Sequence, residues 1–489
     1  MSTDIVIVGT GAAGISLAES LDDGTRRILL VEAGGMEVDY TIQPKTCFQS
    51  IGEPADGITD QFHAFGGMTR YWTGRVGMLD PIDVETRPWV AHSGWPIAWD
   101  ELSAFEGKAM EQCGFKPDWK SEPAPLANLA LLDHRPPELM PYAWRYWSVS
   151  RERFQHWGNR VEPRFRNSAT VTVLLHTAMI GVSQWQDNRV KACLLRTRDG
   201  SDIIVEADQF IICGGGVEST RLVLNMAEAS PTVFASIKPA LGRYFMQHYR
   251  AVTGIIEAAP DQSACLQAAF NRFRKPKGQQ FETGVSLSAV VQEKLGLLNA
   301  AAWLGYRRKG MRLDDINLRR ATEAVVRRIA GRAPLVGHAE ALITLDVEQE
   351  PCSASRIFLT DDRDRNGLKQ AVIDWRISPR DYRTQSFLTS LMVDWFNTLG
   401  LGQARPVDGI VEESGVPREF MLDSHHHLGA TRMSHGPEDG VVDHNLRIHG
   451  LQNMFICSGS VMPTGGHVNP TLSIVVLALR LAAHLKRLG

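Results

Sequence analysis

The chain has 489 residues, 44% of them hydrophobic and 22% charged, with a formal net charge of -3. That is the composition of a soluble globular protein with room for about three domain-sized units. The slight acidic excess argues against a general nucleic-acid binder, and seven cysteines without a C-x-x-C fit a reducing compartment, not a disulfide framework or the usual zinc site.

Residues 4–8 (Asp-Ile-Val-Ile-Val) read as a strand buried on both faces. Gly9-Thr10-Gly11-Ala12-Ala13-Gly14 follows at once, then a helix from Ile15 to Leu21 and a second apolar run, Ile28 to Val31, ending in Glu32. Strand, glycine turn, helix and strand with a terminal acid is the dinucleotide-binding arrangement. Gly9 makes the turn, Gly11 lets a pyrophosphate approach, Gly14 lets helix and strand pack, and Glu32 accepts from ribose hydroxyls. Glu32 disfavours a 2′-phosphate and hence NADP; FAD and NAD are not separated by this motif.

Residues 65–74 (FGGMTRYWTG) read as a Gly-Gly turn with a polar-aromatic patch around a buried Trp72. Eight of the twelve tryptophans lie between Trp72 and Trp157, where core filling is the default role. Asp100 is expected to cap a helix running through Met110. From Thr170 the pattern turns to strands, with Asp199-Gly200 as a hairpin turn. The apolar run Phe210 to Cys213 then enters Gly214-Gly215-Gly216 and a helix from Glu218 to Met226, a second place where backbone can approach a cofactor. Arg243 and His248, in PALGRYFMQHYR, are assigned structural roles. Alternating runs from 251 to 400, among them SRIFLTD and QAVIDWRI, predict an antiparallel sheet. The basic stretch 307–332, with nine Arg or Lys, predicts a solvated amphipathic helix, and Asp381 to Leu399 another helix closed by Gly400. The last apolar run, Leu472 to Leu485, is broken by Arg480 and too short to span a bilayer. A strand pattern already under way at residue 4 leaves no room for a secretory signal, so the expectation is a cytoplasmic protein.

Taken in order, VIVGTGAAG…LLVEAG, GGMTRYWTG, GWPIAWDELSAF, ADQFIICGGGVESTRLVL, PALGRYFMQH, EQEPCSASRIFL and HHLGATRM…VVDHNLRIHGLQNMFICSGSVMPTGGHVNPTLSI resemble the glucose–methanol–choline (GMC) oxidoreductases, flavoenzymes that oxidise alcohols. The resemblance covers nearly the whole chain. It implies an α/β fold in which a Rossmann-like FAD-binding domain (1–80, 165–250 and 420–489) is interleaved with an α+β substrate domain built on an antiparallel sheet (81–164 and 251–419). It implies FAD held by Gly9, Gly11, Ala12, Ala13, Gly14 and Glu32, by Gly67, Met68 and Thr69, by Gly214, and by Gly459, Ser460, Asn469, Pro470 and Thr471. The catalytic pair maps onto His426 and Asn469, with His425 and His427 one residue out of register and His467 as runner-up. In the related pyranose oxidases a histidine of the GGMTRYW loop bonds covalently to the flavin; Tyr71 stands in that place, so the FAD is expected to be non-covalent. No metal is expected from the scattered histidines 425, 427, 435, 444 and 449.

The expected substrate is a hydroxyl of a sugar, glycoside or amino sugar. Alternatives are an aliphatic, aryl or sterol-like alcohol, a non-redox flavin-bearing lyase, and an NAD dehydrogenase. Nothing in the motifs selects oxygen, a quinone or a protein as electron acceptor.

Overall fold

A computed structural model describes residues 1–41, 48–53, 61–115, 130–146, 156–270, 273–274, 280–308, 339–410, 414–422 and 424–488. The basic stretch beyond Arg308, with Trp119 and Trp147, lies outside them.

The protein is a mixed α/β fold with several sheets. One has five parallel strands in the order Met454–Ile456, Gln209–Ile212, Ile5–Val8, Ile28–Val31, Val171–Leu174. Its centre is Ile-Val-Ile-Val, β-branched residues that suit a strand covered on both sides. The helices Ala12–Leu21 and Thr471–Leu488 pack on each other beside it. Strands drawn from the start, middle and end of the chain thus share one core.

A second sheet has nine strands and is antiparallel; its main path runs Gln403–Pro406, Tyr249–Glu257, Ala339–Val347, Ala300–Arg308, Gln280–Leu287, Leu139–Tyr146, Arg75–Val76. The helix Pro379–Leu399 covers it. That helix starts two residues before the expected Asp381 because Ser378 caps it. The Ser378 hydroxyl accepts from the Arg380 and Asp381 amides, the Asp381 carboxylate accepts from the Ser378 amide at 2.7 Å, and Pro379 takes the first turn.

Two expectations are corrected and one strand is added. Arg356–Arg363 and Lys369–Trp375 do not join the large sheet; they pair with each other, and the second runs parallel to Phe48–Gly52. Their inward residues Ile357, Ala371, Ile373 and Trp375 cover Val217 and Phe245 instead. Asp100 is not a cap: the helix Trp99–Ser103 is preceded by Ala98, Asp100 and Glu101 sit in its first turn where the helix dipole favours them, and a separate helix Glu106–Gln112 follows. The strand Thr177–Gln186, which the sequence reading missed, forms a meander with Arg189–Thr197 and Asp202–Glu206. Among the described residues no helix is long and apolar enough to cross a membrane.

Candidate active site

A cavity of about 660 Å³ lies at the carboxyl ends of the parallel strands, within the size range of cofactor sites. Three helices begin on it: Ala12, Gly215 and Thr471, the first residues of Ala12–Leu21, Gly215–Ala229 and Thr471–Leu488, all line its wall. Their unpaired N–H groups and positive dipole ends favour an anionic ligand.

The glycine turn divides its tasks by geometry. Gly9 has φ +103°, and a Cβ there would stand 2.5 Å from the Cys213 carbonyl oxygen. On Gly14 a Cβ would meet the Gly9 oxygen at 1.9 Å, so helix and strand touch only because it is absent. At Gly11 a Cβ would meet nothing within 4 Å; this position faces the cavity. Glu32 is buried: one carboxylate oxygen accepts from the Thr10 hydroxyl at 2.5 Å and the Thr10 amide at 3.2 Å, the other from the Gly34 amide at 2.8 Å. A carboxylate accepts about four hydrogen bonds, so capacity for another donor remains.

Gly67, Met68, Thr69, Gly214, Gly459, Pro470 and Thr471 line the same cavity with Gly9, Gly11, Ala12, Ala13 and Glu32. Gly14 and Ser460 do not. Ser460 is buried, its hydroxyl sharing hydrogen bonds with Thr431 at 2.6 Å and Ser458 at 2.7 Å. Tyr71 lines the cavity from a partly exposed position, its ring stacked on Phe62 with centroids 4.1 Å apart. Burial and the neighbouring Tyr40 hydroxyl push its phenol up to about 12. Trp72 also lines the cavity and meets Trp157 edge-on.

At the C-terminal end of the site the chain brings His426 and Asn469 together: the Asn469 Nδ2 stands 3.0 Å from the His426 Nε2. The register among the three histidines follows from backbone pairing. Met246 and Leu428 exchange both amide hydrogen bonds, at 3.0 and 2.8 Å, so two residues along, His248 faces His426. Their Nδ1 atoms are 2.7 Å apart and the rings meet at 84°. His425, at φ +55°, is exposed, while the His427 backbone packs against Gly216 and Gly459. His248 was assigned a structural role from sequence; the pairing that sets it against His426 is non-local and has no signature in PALGRYFMQHYR.

Burial dominates the electrostatics. It pushes His426, then pushed further by His248 and by the guanidinium charges of Arg250 and Arg75, well below the ordinary histidine value. His248 is lowered to about 4, again chiefly by burial. Both rings are neutral near pH 7, so His426 has a lone pair with which to take a proton. Arg75 and Arg250, also missed from sequence, line the cavity. Arg250 makes a bidentate pair with the fully buried Asp346 at 2.6 and 2.8 Å, and both guanidinium groups lie over Trp303.

His467 does not line the cavity. It is buried 3.5 Å from the Asp80 carboxylate; burial opposes its cation, but the hydrogen bond and charge of Asp80 raise its pKa above the usual value. It belongs to a polar cluster under the 464–469 loop. There Arg87 and Glu348 form a doubly hydrogen-bonded pair at 2.7 Å, and the Thr464 hydroxyl donates to the Asp83 carbonyl at 2.5 Å while accepting from the Trp95 indole at 2.7 Å. His444 and His449 lie apart, against Asn445 and Ser434.

Residues 351–478 match the protein family described as GMC oxidoreductase, a span that includes His426 and Asn469. Over that stretch the chain is similar to the GMC oxidoreductases. Among curated relatives, the chain is 25% identical to the fructose dehydrogenase large subunit of Gluconobacter japonicus over 60% of its length and 50% of that protein. It is 34% identical to paromamine 6'-oxidase of Streptomyces fradiae over 26% of its length and 22% of that protein. Half or less of each relative's own length is thus spanned. The fold is similar to that of pyridoxine 4-oxidase from Mesorbium loti, with a TM-score of 0.63, 18% identity and 99% of both chains covered.

Proposed function

We propose that this chain oxidises a hydroxyl of a sugar, glycoside or amino sugar to a carbonyl, using non-covalent FAD. The observation that carries the reading is the neutral, buried His426 set against Asn469 in the wall of the same cavity that the glycine turn and three helix N-termini line. A dinucleotide fits what is present. Gly11 leaves room a Cβ would fill, the helix ends suit phosphates, and Glu32 retains capacity for a ribose hydroxyl. Residues 1–80, 165–250 and 420–489 would make up the cofactor part, and 81–164 and 251–419 the substrate part. Names of relatives that act on fructose or paromamine support a sugar or aminoglycoside hydroxyl over other alcohols.

When bound, FAD supplies a two-electron acceptor for the hydride leaving the alcohol carbon. The chain's own residues deal with the proton. His426 Nε2 receives it from the substrate hydroxyl, an effect worth on the order of 10²–10⁴-fold in rate. The Asn469 amide donates to the oxygen as negative charge develops there. Met68, Thr69 and Tyr71 close one side of the cavity, and Tyr71 offers no imidazole for a flavin bond.

The test is the absorption spectrum of the purified protein in the absence of air, before and after adding fructose, glucose, paromamine and simple primary alcohols. Bleaching of a flavin band by sugars is expected; a colourless protein, or a flavin reduced only by the simple alcohols, rejects the proposal. Acid precipitation should release the flavin into the supernatant, and flavin retained in the pellet would reject the non-covalent reading.

A further inference from the structure

His426 offers its two ring nitrogens to different partners, and a single backbone oxygen decides which carries the proton. The carbonyl of Gly465 lies 3.4 Å from His248 Nε2. A carbonyl only accepts, so neutral His248 carries its proton on Nε2 and presents a lone pair at Nδ1. The facing Nδ1 of His426, 2.7 Å away, must then be the donor of that bond. Its Nε2 is left as a lone pair toward the Asn469 amide at 3.0 Å. The opposite assignment fails. A proton on His426 Nε2 would require one on His248 Nδ1, and would set the His248 Nε2 lone pair against the Gly465 oxygen.

We propose that His248 is a positioning residue for the reaction: its Nδ1 accepts the His426 Nδ1–H, holds His426 in the tautomer whose Nε2 can take a proton at the cavity, and shares the charge once that proton arrives. This rests on the reading of His426 as proton acceptor. In the step, the substrate O–H bond breaks and a His426 Nε2–H bond forms; the Nδ1 proton stays between the two imidazoles. The surroundings make the bond matter. Both rings are buried, at 1% and 8% exposure, so water cannot replace a lost partner. Arg75 and Arg250 oppose the cation, and Asp346, which pairs with both, is the compensating charge.

The test uses the full chain with ¹⁵N-labelled histidine and two variants, His248→Asn and His248→Phe. The Asn side-chain oxygen can stand where Nδ1 stood; Phe keeps the ring shape and loses the acceptor. Wild type and His248→Asn should show His426 protonated on Nδ1 and bare at Nε2, whereas His248→Phe should move the proton toward Nε2. With sugar substrate, kcat of His248→Phe should fall about 10²-fold with KM changed less than about threefold, and His248→Asn should stay within about tenfold of wild type. A merely structural role predicts the reverse order, since Phe suits a buried site better than Asn. A wild-type His426 protonated on Nε2, or Phe and Asn variants of equal kcat, overturns the proposal. A protein that oxidises no alcohol removes the functional reading and the catalytic half of this one, while the nitrogen shifts still report whether His248 sets the tautomer. If His248→Phe does not fold, the wild-type shifts and His248→Asn decide.

Discussion

The two ends of the cavity are built on opposite plans. At the glycine turn the chain works by omission: the glycine backbone and helix ends face the cavity, and side chains matter chiefly where none is present. At the histidine end it works by insertion: His248, His426 and Asn469 come from three distant stretches, and each owes its state to another. The first plan needs only local geometry and tolerates variation in what lies around it. The second needs the whole fold to be correct before any one group has the right proton on the right atom.

Variants can break or sharpen that contrast, and the largest effect belongs to the inserted end. His426→Ala should slow anaerobic flavin reduction by on the order of 10³-fold while substrate binding shifts far less. Stopped-flow traces at saturating sugar check this, and equal losses in both would place the proton acceptor elsewhere.

Next comes a pair at the omitted end. Gly14→Ala drives a methyl into the Gly9 carbonyl and should cost about 3 kcal/mol of stability. Gly11→Ala meets no protein atom and should leave the flavin-free protein within about 0.5 kcal/mol of wild type, while raising the Kd for FAD. Urea titration of both apoproteins reads the difference, and a Gly11→Ala apoprotein as unstable as Gly14→Ala would count against a ligand-facing Gly11.

Asn469→Ala should lower kcat by about 10²-fold with little change in stability. The smallest effect is a slope. His248 has a folded pKa of about 4, below its unfolded value. Between the two the unfolded chain binds the extra proton, so His248 costs stability progressively as pH falls through that window. Charged and titratable neighbours act on it as well, notably His426, His467, Arg250 and Asp346. Wild type and His248→Phe should therefore be compared directly. The variant's stability relative to wild type should rise on acidification from pH 6.5 to pH 4.5, by up to about 1.4 kcal/mol per pH unit. Parallel curves would show that His248 does not titrate as its burial implies.

The same contrast explains what could be read in advance. The strand–turn–helix at 5–21 and the helix ending at Gly400 are local: Ile-Val-Ile-Val, a glycine turn and a left-handed glycine cap each name their own conformation. Thr177–Gln186 escaped notice because its mixed small and polar residues show no clean alternation. Arg356–Arg363 and Lys369–Trp375 looked like members of the large sheet since a strand's sequence does not name its partner. Resemblance pointed to His426 and Asn469, but which of the three histidines meets Asn469 depends on the Met246–Leu428 pairing. His248 was out of reach for the same reason. Its partner lies 178 residues away, and only the folded backbone sets them face to face.

The sheet order carries a consequence for biosynthesis. Met454–Ile456 is an outer strand of the five, and Asn469 follows it, so a nascent chain stopped short of this point has the turn at 9–14 but neither the last strand nor the amide beside His426. Phe210 and Ile211, buried in the finished protein, would then stand along an open flank ready to pair with another chain. Ribosome-released fragments ending before this strand should accordingly aggregate and stay colourless. On the proposed reading, cofactor loading waits until that strand has been made.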